Sequence, residues 1–251
     1  MNNTLAATLR GVIIFSLLMI AWWVLVKVTG VPKFILPSPD LVFQRLWELR
    51  AALWYHTLVT LTEIILGLLL GLSMGLCFAL SMLRFSPLRL WLLPVILASQ
   101  AIPVFALAPV LVLWLGYGMA SKVVMAALII FFPVTMTCFD GLRHTNAGYL
   151  ELARTLGASP RRQLLFVRLP DAMPSIASGL RLAVAVAPIG AIIGEWVGSG
   201  EGLGFYMLNA NARMQVADMF AALFVLAVFS LVLYYGTDSL LKKLIPWHQE
   251  R

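Results

Sequence analysis

The chain has few side chains whose types and spacing could perform covalent chemistry. Its three histidines, His56, His144 and His248, are far apart in sequence, and none belongs to the HExxH pattern of zinc enzymes. There is no GxSxG turn for a serine nucleophile and no GxxxxGKS/T loop for a nucleotide phosphate. The sequence therefore predicts neither an enzyme, nor a metal site, nor a cofactor. If the protein performs energy-consuming work, another subunit must bind the nucleotide.

Four glycines near the end of the chain superficially resemble a dinucleotide-binding loop: Gly198, Gly200, Gly202 and Gly204. Their spacing is wrong for that loop. They also follow an apolar stretch long enough for a membrane helix, whereas the nucleotide loop must follow a strand. We therefore exclude nucleotide binding at these glycines.

Three ionisable residues lie inside or at the end of apolar stretches, where charge is costly and is a functional candidate by default. They are Glu63, Arg181 and Glu195. We take Arg181 and Glu195 as candidates for a translocation path or gate. Glu63 is expected at the same level as Lys27, so a structural ion pair explains it as well as a substrate contact does. No carboxylate falls near the middle of a stretch, which counts against a proton-coupled carrier.

Prolines interrupt the apolar stretch 90–121, at Pro94, Pro103 and Pro109. A proline inside a helix frees a backbone carbonyl and bends the helix. Such bends are tolerated where other helices or a water-lined cavity satisfy the carbonyl. Pro103 and Pro109 are therefore further candidates for the path, and a merely kinked packing helix explains them equally well.

The composition places these residues in a membrane protein. Of the 251 residues, 61% are apolar and 12% are charged, about half the charge of a soluble domain. We predict an all-α membrane protein, a single domain over 1–251 with six transmembrane helices. The predicted spans are about 11–28, 58–83, 90–116, 122–139, 172–195 and 218–238. In a five-span alternative, 90–139 crosses once and dips once.

The basic residues lie between apolar runs, so the net charge of +7 does not indicate a nucleic-acid partner. Their distribution instead indicates how the chain is oriented in a membrane. Eleven of the 18 basic residues, Arg251 included, fall on the side of the two tails. By the positive-inside rule, both termini are expected in the cytoplasm.

The connection 28–57 predicts an amphipathic helix. Ser38 can cap it, Pro39 fits its first turn, and one apolar stripe runs along it. The stripe consists of Val42, Leu46, Leu49 and Leu53. We expect this helix on the outer membrane surface, with contact to a partner as the alternative.

The connection 140–171 predicts two short helices. Thr145 or Asn146 can cap the first, and Gly157 can end it in a left-handed conformation. Ser159 and Pro160 begin the second, which is expected to stop before Pro170. The arginines of this connection could indicate a DNA-binding pair of helices, but the membrane spans at both of its ends leave little room for it to enter a DNA groove.

The second span carries Gly67, Gly71 and Gly75 at every fourth position. This spacing makes one flat face, which predicts close approach of another helix.

The connection 140–171 resembles the coupling motif of the permease subunits of ATP-binding cassette importers. That motif reads Glu-Ala-Ala, three residues, Gly, nine residues, an aliphatic residue, any residue and Leu-Pro. Leu152 departs from it clearly and Val167 mildly. The resemblance implies a type I importer permease fold whose cytoplasmic loop, 140–171, docks in a groove on an ATPase. It assigns coupling roles to Glu151, Leu152, Ala153, Gly157, Val167, Leu169 and Pro170.

A narrower resemblance covers most of the chain. The segments 36–39, 103–118 and 195–204 are similar to the sulfonate, taurine and nitrate branch of these permeases. Segments 194–198 and 211–215 are more similar to permeases for pyrimidine precursors of thiamine. The favoured cargo is thus a hydroxymethylpyrimidine-type precursor, and a sulfonate, taurine or nitrate is the alternative.

The resemblance also implies partners and a location. These are two cytoplasmic ATPase subunits that bind ATP, a periplasmic binding protein and a second permease copy, in the bacterial inner membrane. An ATP-independent secondary transporter or channel is the rival from another class. A membrane-embedded enzyme using Glu63 and Glu195 is a third reading.

Overall fold

The computed structural model describes residues 2–247, with the side chains of residues 9–11 and 13–247. His248 and Arg251 lie outside this part. Eleven α-helices and one π-helical turn make up its regular structure. The helices are α1 (Asn2–Thr29), α2 (Pro39–Glu48), α3 (Arg50–Arg84), α4 (Ser86–Ser99), α5 (Val104–Leu115), α6 (Met119–Arg143), α7 (Ala147–Thr155), α8 (Pro160–Gln163), α9 (Leu169–Gly198), α10 (Leu203–Ala212) and α11 (Val216–Leu244).

Five helical stretches within the described residues are long and apolar enough to cross a membrane. They are most of α1, the whole of α3, α6 and α11, and the continuous stretch from α8 to the end of α9, and each encloses one of the predicted spans. The predicted span 90–116 is different, because it is not one helix. It is divided into α4 and α5, which are bent by 102°. Pro103 lies at this break with extended backbone and precedes the first residue of α5. A bend this large fits either a broken span or a dip into the membrane.

Helix α6 lies at the centre of the fold, and α3 packs on one side of it. A Cβ atom added at Gly67, Gly71 or Gly75 would lie 2.5 to 2.8 Å from a side-chain atom of α6. The three α6 residues follow the same spacing of four: Ala126, Ile130 and Val134. The predicted close helix contact is therefore confirmed, because only glycine leaves room for it.

Helix α9 packs against α6 in the same manner. A Cβ atom at Gly190 would lie 2.7 Å from the Cα atom of Ala126, so the two backbones are in direct contact. Farther along, the Ser175 hydroxyl donates to the carbonyl of Thr137 at 3.0 Å. α6 is thus held between α3 and α9, and these three helices carry most of the buried apolar core.

Helix α2 begins at Pro39, as predicted, but the side chain of Ser38 makes no capping hydrogen bond. The predicted apolar stripe does not face the membrane surface or leave a face open to a partner. Val42 and Leu53 are buried, and with Leu46 and Leu49 they pack against α10 and α11. The stripe is therefore part of the protein's own core.

An ion pair fixes α2 to the start of α11. Arg45 donates to Asp218, with Nη2 and Oδ2 2.8 Å apart. This hydrogen bond raises the pKa of Arg45 above its ordinary value. The N-terminal ends of α3 and α11 consequently lie at the same end of the molecule, since α3 begins directly after α2.

Gly71→Ala is expected to destabilise the protein by about 1 to 3 kcal/mol, although alanine is the better helix former. The new Cβ atom would lie 2.8 Å from Ile130 and 3.0 Å from the backbone oxygen of Ala127. The matched control is Gly236→Ala, where nothing lies within 4 Å of the new atom. Thermal unfolding in detergent measures both, and equal melting temperatures would contradict the packing.

Candidate functional site

The first candidate site is the segment that joins α6 to α9, residues 144–168, here called the elbow. Its first helix, α7, is capped by Asn146, whose Oδ1 accepts a hydrogen bond from the backbone N–H of Gly148 at 2.9 Å. Thr145 instead donates to the carbonyl of Leu142. Of the two predicted caps, the structure therefore selects Asn146.

The elbow turns at Gly157, as predicted. This residue has φ of +75°, in the left-handed region that favours glycine. Two hydrogen bonds of 2.9 Å close the turn, from Gly157 N–H to the carbonyl of Arg154 and from Ala158 N–H to the carbonyl of Ala153. This is the Schellman arrangement, which satisfies the free carbonyls at a helix C-terminus. Ser159 then caps α8 by accepting from Arg162 N–H.

The second short helix does not stop before Pro170, so that prediction is wrong. α8 continues into a π-helical turn, Leu164–Arg168, and from there into α9. The N–H of Leu169 bonds to the carbonyl of Leu164, five residues back. A π turn widens the helix. It relieves the clash between a proline ring and the carbonyl four residues earlier, so the chain passes Pro170 without a break.

Both ends of the elbow are tied together. Arg168 Nη1 donates to the carbonyl of Leu142 at 3.0 Å, which joins the π turn to the end of α6. The N–H of Asn146 donates to Asp171 Oδ2 at 3.3 Å, which joins the cap of α7 to the first turn of α9. The elbow is therefore braced against two long helices at once.

The seven residues predicted for coupling surround one cavity or lie beside it. Leu152, Ala153, Val167 and Pro170 line a cavity of about 910 Å³ between α6, α7, the π turn and α9. Glu151 and Gly157 are exposed on the elbow outside this lining, and Leu169 is half-buried at the start of α9.

Sequence reasoning missed several residues of this cavity. Leu156 and Phe166 also line it and are 77% and 75% exposed. Asp140 and Asp171 add acidic groups to its wall. The signal available in the sequence was large apolar residues in a connection rich in charge. Exposed apolar groups of this kind mark a surface that interacts with a protein or with a membrane.

The second candidate site is a buried polar cluster around Glu195. Oε1 of Glu195 accepts from the Thr60 hydroxyl at 2.6 Å. Oε2 accepts from the backbone N–H of Gly204 and, at 3.4 Å, from that of Phe205. The carboxylate thus caps the N-terminus of α10, where free N–H groups and the helix dipole favour negative charge.

The glycines that resembled a nucleotide loop make this cap possible. A Cβ atom at Gly202 or Gly204 would collide with the Glu195 carboxylate. Gly202 also has φ of +105°. Its N–H donates to Nδ1 of His56 at 3.1 Å. The N–H of Leu203 donates to the hydroxyl of Thr60 at 2.9 Å. The glycine run therefore brings α10 against α3 and α9.

Glu63 forms a buried ion pair, but with a different partner from the one expected. Lys122 Nζ lies 3.0 Å from Oε1 of Glu63. Both residues are buried, and Glu63 neighbours the carboxyl of Glu195. Lys27 instead lies over the ring of Trp23. Lys122, the first residue of the predicted span 122–139, lies in the first turns of α6.

The four residues proposed for a path or gate are not brought together in the structure. Arg181 pairs with Asp238 of α11 at 2.8 Å. Pro103 and Pro109 are exposed on the bent pair, and Glu195 is buried under α10. Their role in a path stays a prediction.

Comparison with known proteins gives one family and several relatives. The family model described as "Binding-protein-dependent transport system inner membrane component" matches residues 64–248. A "Probable ABC transporter permease protein" of Haemophilus influenzae is 55% identical over 237 residues, 94% of this chain and 97% of the relative. The "Formylaminopyrimidine transport permease protein ThiX" of Halalkalibacterium halodurans is 36% identical over 244 residues, 97% of each chain.

A more distant relative and a solved structure extend this comparison. The "Taurine transport system permease protein TauC" of Escherichia coli is 30% identical and covers 94% of this chain and 88% of its own. Among solved structures, an amino acid ABC transporter crystallised with histidines superposes with a TM-score of 0.63 at 20% identity. It covers 80% of this chain and 96% of its own.

Lys122→Met is expected to cost about 3 to 5 kcal/mol of stability, because it leaves buried carboxylates without a cation. The double variant Glu63→Gln with Lys122→Met should recover part of this loss. Lys243→Met, at an exposed position of α11, is the matched control and should change stability by less than about 0.5 kcal/mol. Thermal unfolding in detergent is the measurement. A Lys122→Met protein as stable as the control would contradict the ion pair.

Proposed function

We propose that this chain, which belongs to the family of binding-protein-dependent transport system inner membrane components, moves a small molecule through the membrane for an ATP-driven importer. The chain is an ABC importer permease with the type I fold. In this proposal it performs no covalent chemistry and holds no cofactor. ATP is bound and hydrolysed by two separate cytoplasmic subunits.

The elbow is the observation that carries the proposal. It presents exposed apolar side chains around a cavity, and the left-handed Gly157 sets the angle between its two short helices. Such a surface is suited to seat on another protein. We assign it to the ATPase, with Glu151, Leu152 and Ala153 of α7 in or beside the contact.

The bracing of the elbow supports a mechanical role. The hydrogen bonds of Arg168 and Asn146 connect it to α6 and α9. A displacement of α7 therefore moves both long helices, and the glycine contacts transmit the displacement to α3. Rigid-body rotation of packed helices is an established way to alternate access across a membrane.

The remaining parts of the assembly follow from the same proposal. A single elbow requires a second copy of the chain to offer two docking surfaces to an ATPase pair, and a two-fold axis is the simplest closure. A periplasmic binding protein delivers the cargo from above. The complex lies in the bacterial inner membrane with both termini in the cytoplasm.

For the cargo we propose a pyrimidine precursor of thiamine. The support is the 36% identity with ThiX over nearly the whole chain, against 30% with TauC. The test uses the periplasmic binding protein that, in this proposal, delivers the cargo to the permease. Thermal shift with a formylaminopyrimidine, a hydroxymethylpyrimidine, taurine and nitrate identifies its ligand. Uptake of that ligand is then measured in proteoliposomes that contain the permease, the ATPase and the binding protein.

Two outcomes would redirect this proposal. Stabilisation of the binding protein by taurine, a sulfonate or nitrate would replace the pyrimidine and leave the importer in place. Uptake that persists without ATP, by a permease purified free of any ATPase, would favour a secondary transporter or channel instead.

Gly157→Val is expected to uncouple transport, because a branched residue in the left-handed region costs about 1 to 3 kcal/mol and distorts the elbow. The protein should remain in the membrane while its co-purification with the ATPase and its transport fall. Ala158→Val, the adjacent position, is the control and should keep both. Wild-type transport by Gly157→Val would count against the assignment.

Glu151→Lys is expected to weaken ATPase binding through charge reversal on the exposed face of α7. The dissociation constant of the detergent-solubilised permease for its ATPase is the measurement. Glu201→Lys makes the same reversal in the connection between α9 and α10, away from the elbow. If both variants bind the ATPase like the wild type, Glu151 lies outside the contact.

A cysteine at Thr155 tests the orientation. In a chain whose native Cys77 and Cys138 are replaced by serine, Thr155→Cys should react with a membrane-impermeant maleimide only after the membrane is opened. Lys33→Cys, in the connection between α1 and α2, should react in spheroplasts. Labelling of Thr155→Cys in intact spheroplasts would place the elbow outside and overturn the function.

A further inference from the structure

A cleft lies between α3 and α11, at a face of the molecule that exposes apolar side chains. Its volume is about 370 Å³, and its walls include Arg50, Trp54 and Thr57 of α3 and Phe224, Val228 and Phe229 of α11. Trp54 and Val228 are exposed. The hydroxyl of Thr57 is satisfied internally, because it donates to the carbonyl of Leu53 at 2.6 Å. The cleft is thus apolar along nearly its whole length.

Charge is confined to one end of this cleft. Among the described residues that line it, Arg50 alone is charged. Arg50 is the first residue of α3, and Thr57 lies about 10 Å farther into the membrane at 1.5 Å per residue. Phe229 lies about 20 Å along α11 from its start. Because both helices start at the same end of the molecule, the cationic end is at the surface and the apolar end is deep.

The guanidinium of Arg50 is held in place at this mouth. It lies over the ring of Trp47, 4.8 Å from the centroid, and Nη1 donates to the carbonyl of Trp47 at 2.9 Å. Trp47 and Trp54 are 71% and 65% exposed. Exposed tryptophans at the end of a spanning helix mark the level of the lipid headgroups. Arg50 is therefore positioned where phosphates of the bilayer lie.

We propose that this cleft is a binding site for an anionic phospholipid, with the headgroup phosphate on Arg50 and one acyl chain between α3 and α11. The order of chemical groups along the cleft, cation first and hydrocarbon below, is that of a phospholipid in the leaflet that α3 and α11 enter. Arginine suits this contact because its planar guanidinium offers paired donors to phosphate oxygens.

The chemistry of the cleft favours a lipid over a protein segment. Its deep end is lined by the apolar side chains of Phe224, Val228 and Phe229, and Arg50 at its mouth is the single charged group among the described residues that line it. A hydrocarbon chain needs only apolar contact, and a headgroup phosphate needs a cation at the membrane surface. A phospholipid meets both conditions in one molecule.

The test measures lipid bound to the full-length permease purified in mild detergent. Spin-labelled phosphatidylglycerol is added, and the immobilised fraction is compared with that of phosphatidylcholine. The wild type should immobilise phosphatidylglycerol preferentially. Arg50→Gln should weaken this binding roughly tenfold, as expected for loss of a charged hydrogen bond to phosphate. Val228→Trp, which fills the cleft, should abolish it.

Two matched controls keep the test specific. Arg84→Gln removes an exposed arginine that also lies over an aromatic ring, that of Phe85, at the opposite end of α3. Val232→Trp places the same bulk one turn farther along α11, at a residue that is exposed but does not line the cleft. Both should bind lipid like the wild type.

Three results would overturn the proposal. One is equal immobilisation of the two lipids by the wild type. Another is wild-type lipid binding by both Arg50→Gln and Val228→Trp. The third is a disulfide between two copies of Val228→Cys in the membrane, which would show that protein covers the cleft. None of these readouts depends on the transported cargo or on the ATPase.

Discussion

The fold depends on direct backbone contact between α6 and its two neighbours. Helices in a bilayer gain little from the hydrophobic effect against each other, because lipid tails are as apolar as leucine. Close packing must supply the stabilisation instead. Gly67, Gly71 and Gly75 of α3 let side-chain methyl groups of α6 fill the missing Cβ positions, and Gly190 of α9 lets the backbone of α6 approach at Ala126. The same contacts make α3, α6 and α9 a stiff unit, against which α4, α5, α10 and α11 pack.

The buried charges sit where this unit allows them to be paired. Lys122 belongs to the first turns of α6, where α9 approaches so closely that a Cβ atom at Gly194 would lie 3.0 Å from its Cα atom. Its ammonium group therefore reaches Glu63 on α3 within the protein. Glu195 lies in the same region, and its carboxylate accepts hydrogen bonds from the first N–H groups of α10. An unpaired carboxylate here would be strongly unfavourable. The cluster thus explains both why α10 docks and why glycines precede it.

Local features of this chain could be predicted from its sequence, and features set by distant partners could not. Gly157 and Pro39 were assigned correctly because turn and first-turn chemistry involves only adjacent residues. The prediction from Gly67, Gly71 and Gly75 succeeded because residues four apart lie on the same face of any α-helix, so the spacing alone defines the face. The partner of Glu63 was missed, since Lys122 lies far away in sequence and no local pattern links the two positions. The π turn before Pro170 was missed because a helix normally ends before proline, and no local signal marks the wider turn that lets it continue.

Helix α9 connects the two candidate sites, and this has a mechanical consequence for the proposed importer. One of its ends continues from the π turn of the elbow, and the other carries Glu195, which holds α10. Over 30 residues the helix is about 45 Å long, so a displacement of the elbow reaches α10 through one continuous element packed on α6. The wider π turn lies at the elbow end of this helix, where a displacement of the elbow would first reach it. In the proposed importer, one helix would therefore link the elbow to the opposite end of the molecule, where α10 lies.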